Sequence, residues 1–395
     1  MTNFNYFNPK TLIIVLIITL SMGSIAQEFD PFIQSKVDEL QYDSLFQKLL
    51  AFENFGIKQV GTDALDETAN WILQQYTDWG YTNIELDTLY VGQNSTFNII
   101  VTKTGSVYPD TYFIVDGHYD TYNGPGVNDN GSGTAIVLEM ARMLKDVETA
   151  YSIKFIHFTV EELGLVGSTH YVENTVVPQE MDIKLLLNID EVGGVAGTNN
   201  NTITCERDEW SPTSNNAASA AYTDTLANLT EMYSNLNTDI SYAYGSDYVP
   251  FMDNGYVVTG YYEYNESPYP HSINDSLSNM DPESVFELTK ASLASCMYFA
   301  GAQSISTGIP GDITTEKNIE IYPNPFAEYI SVKNITTETL NLQVYDLNGR
   351  LQNNFKLSAE ATSVIRTKLK AGTYFYKIFD EDQEIISSGK IIKTK

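Results

Sequence analysis

Five residues scattered through the 395-residue chain have side chains suited to holding divalent cations: His118, Asp129, Glu162, Asp190 and His271. Imidazole and carboxylate without thiolate suit zinc or another divalent first-row metal. Two of the five fall in one stretch, residues 112–133, which reads YFIVDGHYDTYNGPGVNDNGSG. The two-residue spacing of His118 and Asp120 puts both side chains on one side of an extended chain. The imidazole could then bind a metal while its other ring nitrogen donates to the carboxylate. Asp129 stands at the mouth of a helical pattern, where a carboxylate is electrostatically favoured. Taken singly, these residues have plainer readings: Asp129 as a helix cap, His118 as a core histidine, Glu161-Glu162 and Asp190-Glu191 as solvated pairs, His271 as a surface histidine.

Taken together they support a two-metal site. Asp129, Glu162 and Asp190 supply three negative charges against four positive ones, and a bound hydroxide would cancel the last. Two cations sharing Asp129 would lie roughly 3.5 Å apart and acidify their water towards pKa ~7. Glu161, aimed apart from Glu162 by a local turn, is then placed to take the water's proton and pass it to a leaving amine. Without metals, so many acids in one cleft would repel one another. His157, in an expected strand, and His170, on an expected helix, read as structural.

The elements that must position these groups alternate. Residues 29–79 show helical spacing, broken by Gly80. Strands are expected over 83–91, 97–102, 112–115, 153–160, 183–189 and 257–262. Helices are expected over 134–144, 217–236 and 282–300, with a loop entering a helix over 163–173. This alternation predicts an α/β domain with a mixed, mostly parallel central sheet flanked by helices. Each candidate residue follows a strand, at the edge of an open sheet where ligands bind.

The formal net charge is −29, which argues against nucleic-acid or anionic-membrane partners. Lys10, the apolar run 11–20 and Ser24-Ile25-Ala26 read as a signal peptide over 1–26, hence a secreted or cell-surface protein. That run is too short for a comfortable span, and no stable membrane span is expected. Cys205 and Cys296 are compatible with one disulfide, which spacing cannot establish. Residues 317–395 carry 11 Lys+Arg and 9 Asp+Glu; removing these from the totals of 22 and 51 leaves 11 and 42 before them. This break, after a Gly/Ser/Thr/Pro linker over 304–316, marks a second domain over 317–395. Short alternating runs there, with turns at Asn348-Gly349 and Ala371-Gly372, predict a small all-β sandwich. The first domain is expected over 27–303.

The segments GHYDTY, GVNDNGSGTA, FTVEELGLVGS, LNIDEVG and YPHSINDS, in this order, resemble metallopeptidase family 28, the two-zinc aminopeptidases of the bacterial leucyl-aminopeptidase type. The resemblance covers roughly residues 30–300. It implies a zinc-exopeptidase fold in which His118 and Asp190 hold one Zn2+, Glu162 and His271 hold the other, and Asp129 bridges them. It makes Glu161 the general base and Asp120 the carboxylate that orients the histidine. Where the family often has Ser-Asp-His, this chain has Ser246-Asp247-Tyr248, so no role passes to Tyr248. A tyrosine within 241–270 could donate to the oxyanion; most of them line the pocket or pack as core.

IYPNPFAEYISV, VYDLNGRL, LKAGTYFYKI and SGKIIK resemble the type A sorting domain of the type IX secretion system. That implies passage through outer-membrane secretion machinery, with the tail removed afterwards. The expected function is therefore a secreted, zinc-dependent aminopeptidase acting on peptide substrates through a two-zinc-bound hydroxide and a Glu base. The alternatives are glutaminyl cyclisation or carboxypeptidase action on the same scaffold, or a surface binding protein without catalysis.

Overall fold

Alternate residues of the long apolar runs point to opposite faces of one sheet. Phe113, Val115, Leu185 and Leu187 enter one core, while Ile114 and Leu186 enter the other. Period-two alternation between two buried faces explains why these strands read as unbroken apolar text. The computed structural model describes residues 29–243, 245–303, 319–324, 326–346, 350–380 and 385–394. The expected signal peptide, the linker and the turn at Asn348-Gly349 lie outside them. The chain divides into two units, Met1–Ile305 and Ser306–Lys395.

In the first unit an eight-stranded mixed sheet runs in the order Ile84–Val91, Asn94–Lys103, Tyr151–Phe158, Tyr108–His118, Asp182–Ile189, Val258–Glu263, Thr202–Arg207, Asn237–Tyr242. The four adjacent strands Tyr151–Phe158, Tyr108–His118, Asp182–Ile189 and Val258–Glu263 are mutually parallel, so their carboxyl ends share one edge. Two strands were not expected. Thr202–Arg207 is short and polar-rich, and Asn237–Tyr242 is an exposed edge strand without an apolar run.

Helices Tyr42–Asn54, Gly131–Leu144, Asn216–Tyr233 and Pro282–Phe299 contribute buried side chains to the larger core. The helical text over 29–79 is three helices, Pro31–Val37, Tyr42–Asn54 and Asp63–Asp78. Asp30 caps the first through Phe32 N–H, and Thr62 caps the third through Leu65 N–H. The other face of the sheet is covered by Val166–Tyr171, Val172–Val176 and Val249–Asp253. Cys205 and Cys296 are buried free thiols. Tyr248 is 2% exposed and donates to Glu206 Oε2 at 2.9 Å, a packing role.

The second unit holds two antiparallel sheets. One is Ile319–Tyr322, Tyr329–Asn334 and Ala361–Arg366; the other is Leu351–Leu357, Leu340–Tyr345, Gly372–Phe379 and Ile385–Lys393. Their inward residues, among them Val332, Leu342, Val344 and Ile378, form one core, as the alternating pattern required.

Candidate metal centre

The shared edge of the four parallel strands delivers most of the site. His118 ends one strand, and Asp190 follows another directly. Glu161 and Glu162 open the single turn Glu161–Leu163, just beyond Phe158. His271 comes from the loop after Val258–Glu263. Asp129 precedes helix Gly131–Leu144, but Asn130 is its cap, accepting from Gly133 N–H at 2.8 Å. Capping by the next residue leaves the Asp129 carboxylate free for other work. Gly133 must lack a side chain, because a Cβ there would meet Ile189 O at 2.1 Å. Helix and strand can therefore approach closely enough to bring Asp129 and Asp190 together.

All five candidate residues converge in two groups. His118, Asp129 and Asp190 place ligand-type atoms within 4.8 Å of one another, and so do Asp129, Glu162 and His271. Asp129 belongs to both. Its Oδ1 lies 3.3 Å from His118 Nε2 and its Oδ2 lies 3.2 Å from His271 Nε2. His118 Nε2 also lies 3.4 Å from Asp190 Oδ1 and 3.7 Å from Glu161 Oε2. His271 Nε2 stands 2.8 Å from Glu162 Oε2. His157, hydrogen-bonded to Tyr76 at 2.8 Å, and His170, 3.1 Å from Asp87, stand outside both groups.

Cations fit this set. His118 Nε2, Glu162 Oε1 and Asp190 Oδ1 are buried without hydrogen-bond partners. Orphaned polar atoms of this kind are costly in a native interior unless an ion or water satisfies them. The histidines and carboxylates are zinc's own donor types.

The electrostatics agree. Burial pushes Glu161 up to about 10, reinforced by Asp247 and Asp190 and opposed by His118. Burial and then Asp129 push Glu162 up to about 8. Burial, with Asp129 and Asp190 next, pushes Glu191 up to about 10. Hydrogen bonding to Asp129 lifts His271 to about 9 against its own burial. Burial opposes ionisation of Asp129, yet the facing His118 and His271 imidazoles outweigh it and hold the group at about 2. Protons thus stand where cations would.

A pH dependence follows. The glutamates' contribution to stability is complete below their unfolded value of 4.5 and is lost as pH rises through about 8 and about 10. The His271 contribution is complete below 6.5 and lost through about 9. Metal-free protein is therefore expected to melt at a lower temperature at pH 8 than at pH 5.5, and divalent cation to remove most of the difference. Thermal scans with and without chelator check this, and equal melting of the metal-free protein at both pH values would contradict it.

Asp120 was expected to orient His118 through its carboxylate; the other supports carried no sequence signal. The nearer partner of His118 Nδ1 is the backbone carbonyl of Asp120, at 3.1 Å, with the Asp120 carboxylate at 3.6 Å. That carboxylate accepts the backbone N–H groups of Glu161 and Glu162 at 3.1 and 3.3 Å. Val160 and Leu165 bracket this turn with φ of 59°, a left-handed conformation costly for side chains of their shape. Ser246 donates to Asp190 Oδ2 at 2.6 Å. Asp275, four residues after His271, accepts the N–H groups of Asn128 and Asp129 at 2.8 and 3.1 Å, tying the two loops together. A short polar tether of this sort leaves no periodicity to read.

Residues 98–295, half of the chain, match Peptidase family M28. Residues 320–394 match the Secretion system C-terminal sorting domain. An aminopeptidase of Pseudomonas aeruginosa (strain UCBPP-PA14) is 41% identical over 103 residues, which are 26% of this chain and 19% of that protein. The chain thus spans about a fifth of that relative. LapB from Legionella pneumophila shares the fold at a TM-score of 0.61 and 22% identity, over 69% of this chain and 75% of that one. Macrostomum lignano glutaminyl cyclase does so at a TM-score of 0.63 and 15% identity, over 71% and 97%.

Proposed function

The chain belongs to peptidase family M28, and on that premise we propose that it is a secreted, zinc-dependent aminopeptidase removing N-terminal residues from peptides. The observation that carries the reading is Asp129, whose two oxygens face two separate sets of metal-type ligands. His118, Asp129 and Asp190 would hold one divalent cation, and Asp129, Glu162 and His271 the other. When bound, such cations supply Lewis acidity, polarising a carbonyl and making water acidic near neutral pH.

The protein's own groups do the rest. Glu161, beside the His118 group and outside both ligand sets, takes the proton of the attacking water on a carboxylate oxygen. It then returns that proton to the leaving nitrogen. Asp120 grips the backbone of both glutamates, so base and ligand keep one relative position. Ser246 fixes the rotamer of Asp190.

The sorting-domain match and the apolar N-terminal run support export through type IX secretion machinery. Among the described residues no helix is long and apolar enough to cross a membrane.

The purified protein is expected to release amino acid from aminoacyl-nitroanilides, and a chelator to abolish this, with zinc restoring it. The same scaffold in a glutaminyl cyclase makes a parallel assay informative. Ammonia from an N-terminal Gln peptide, without free Gln, would replace the hydrolase reading with cyclisation. Activity that survives chelation would end the metal-dependent one.

A further inference from the structure

Next to the two ligand groups lies a recess of about 220 Å3, walled by Gln59, Val60, Tyr122, Val160 and Leu163 and reaching Asp120, Thr121 and Glu162. Resting on the aminopeptidase reading, we propose that this recess receives the side chain of the substrate's second residue and favours a large apolar or aromatic one.

Most polar groups on its wall are already engaged; the Gln59 side-chain amide and Glu162 Oε1 are the exceptions. The Asp120 carboxylate accepts two backbone N–H groups. Thr121 Oγ1 donates to Gly124 O and accepts from Lys58 N–H, both at 2.9 Å. Glu162 Oε2 faces His271 at 2.8 Å. What remains to meet a ligand is hydrocarbon and the Tyr122 ring, together with the Gln59 amide. An apolar cavity of about 150 Å3 can admit benzene, so this recess has room for a leucine or phenylalanine side chain.

The side of the scissile bond follows from an asymmetry in burial. The side chains of His118, Asp190 and Glu162 are 1%, 8% and 5% exposed, whereas that of His271 is 55% exposed. An enzyme that removes one terminal residue must close around that residue and let the rest of the chain out. The closed end also holds Glu191, which among the described residues forms no ion pair and sits beside Asp190. Carboxylates there suit the substrate's terminal ammonium. The peptide then leaves past the exposed His271, beside which Tyr122 lines the recess. Tyr122 packs edge-on against His271, with ring centroids 5.7 Å apart. Tyr122 and Leu163 are 40% and 50% exposed, a rim that an incoming side chain would cover.

The test compares Leu-Phe, Leu-Leu, Leu-Gly and Leu-Asp, with leucinamide as a substrate lacking a second residue. The leaving groups of the dipeptides are all α-amines, so differences among them report chiefly on binding. The expected kcat/KM for Leu-Phe and Leu-Leu is about tenfold or more above that for Leu-Gly, with Leu-Asp lowest. Leu163→Asp should collapse the Leu-Phe to Leu-Gly ratio and Leu163→Met should keep it, with circular dichroism and zinc content verifying both variants. Equal cleavage of all four dipeptides, or a ratio unmoved by Leu163→Asp, would overturn the recess as a subsite while leaving the aminopeptidase reading intact. No cleavage of any substrate, leucinamide included, would overturn both.

Discussion

Asp129→Asn is expected to strip both cations from the protein and to lower kcat/KM by about three orders of magnitude or more, the kinetic equivalent of ~4 kcal/mol. The change is isosteric, so shape and packing are kept. What it removes is one negative charge from the only residue shared by both ligand groups. Each Asp129 oxygen faces a different histidine, and an amide offers one oxygen and one N–H donor in their place. One of the two sites must then confront a donor. The backbone of Asp129 stays held by Asp275, so the loop itself has reason to survive. Elemental analysis of the purified variant beside its kcat/KM reads both effects. Retention of two equivalents of metal would show that Asp129 does not bridge.

Glu161→Gln should behave differently, keeping its metal while losing turnover by about 10²–10⁴-fold. Glu161 lies outside both ligand groups, although its Oε2 is 3.7 Å from His118 Nε2. Glutamine preserves its volume and cannot carry the proton. The loss should fall on kcat with little change in KM, because binding geometry is kept. Loss of metal in step with activity would instead make Glu161 a structural member of the cluster.

The contrast between these variants mirrors how the site is encoded. The convergence of the five ligand-type residues was legible because each lies at the end of a strand or in the segment after one, and parallel strands that share an edge bring such segments together. Asp190 after Ile189 shows this most simply. The supports beyond Asp120 were not legible, for a physical reason. Ser246 reaches Asp190 across 56 residues through one hydroxyl, and Asp275 holds backbone groups 146 and 147 residues away. Single hydrogen bonds between loops have no period and no composition. The helix cap is Asn130 and not Asp129, the residue that the plainer reading would have made the cap; either residue type can cap, and only the packed loop decides. The strands Thr202–Arg207 and Asn237–Tyr242 escaped notice for different reasons: the first buries polar Thr204 and Glu206 within a short run, and the second is an edge strand whose polar side chains face water. The C-terminal sandwich was legible from alternation alone, with Leu340, Leu342 and Val344 all turned inward.

Everything above rests on metal charge holding carboxylates and imidazoles together at one strand edge. Anomalous scattering at the zinc edge from crystals of the zinc-loaded protein tests it most directly. Two peaks should appear, one among His118, Asp129 and Asp190 and one among Asp129, Glu162 and His271. A map with no peak at either position, in crystals grown with zinc, would contradict the account.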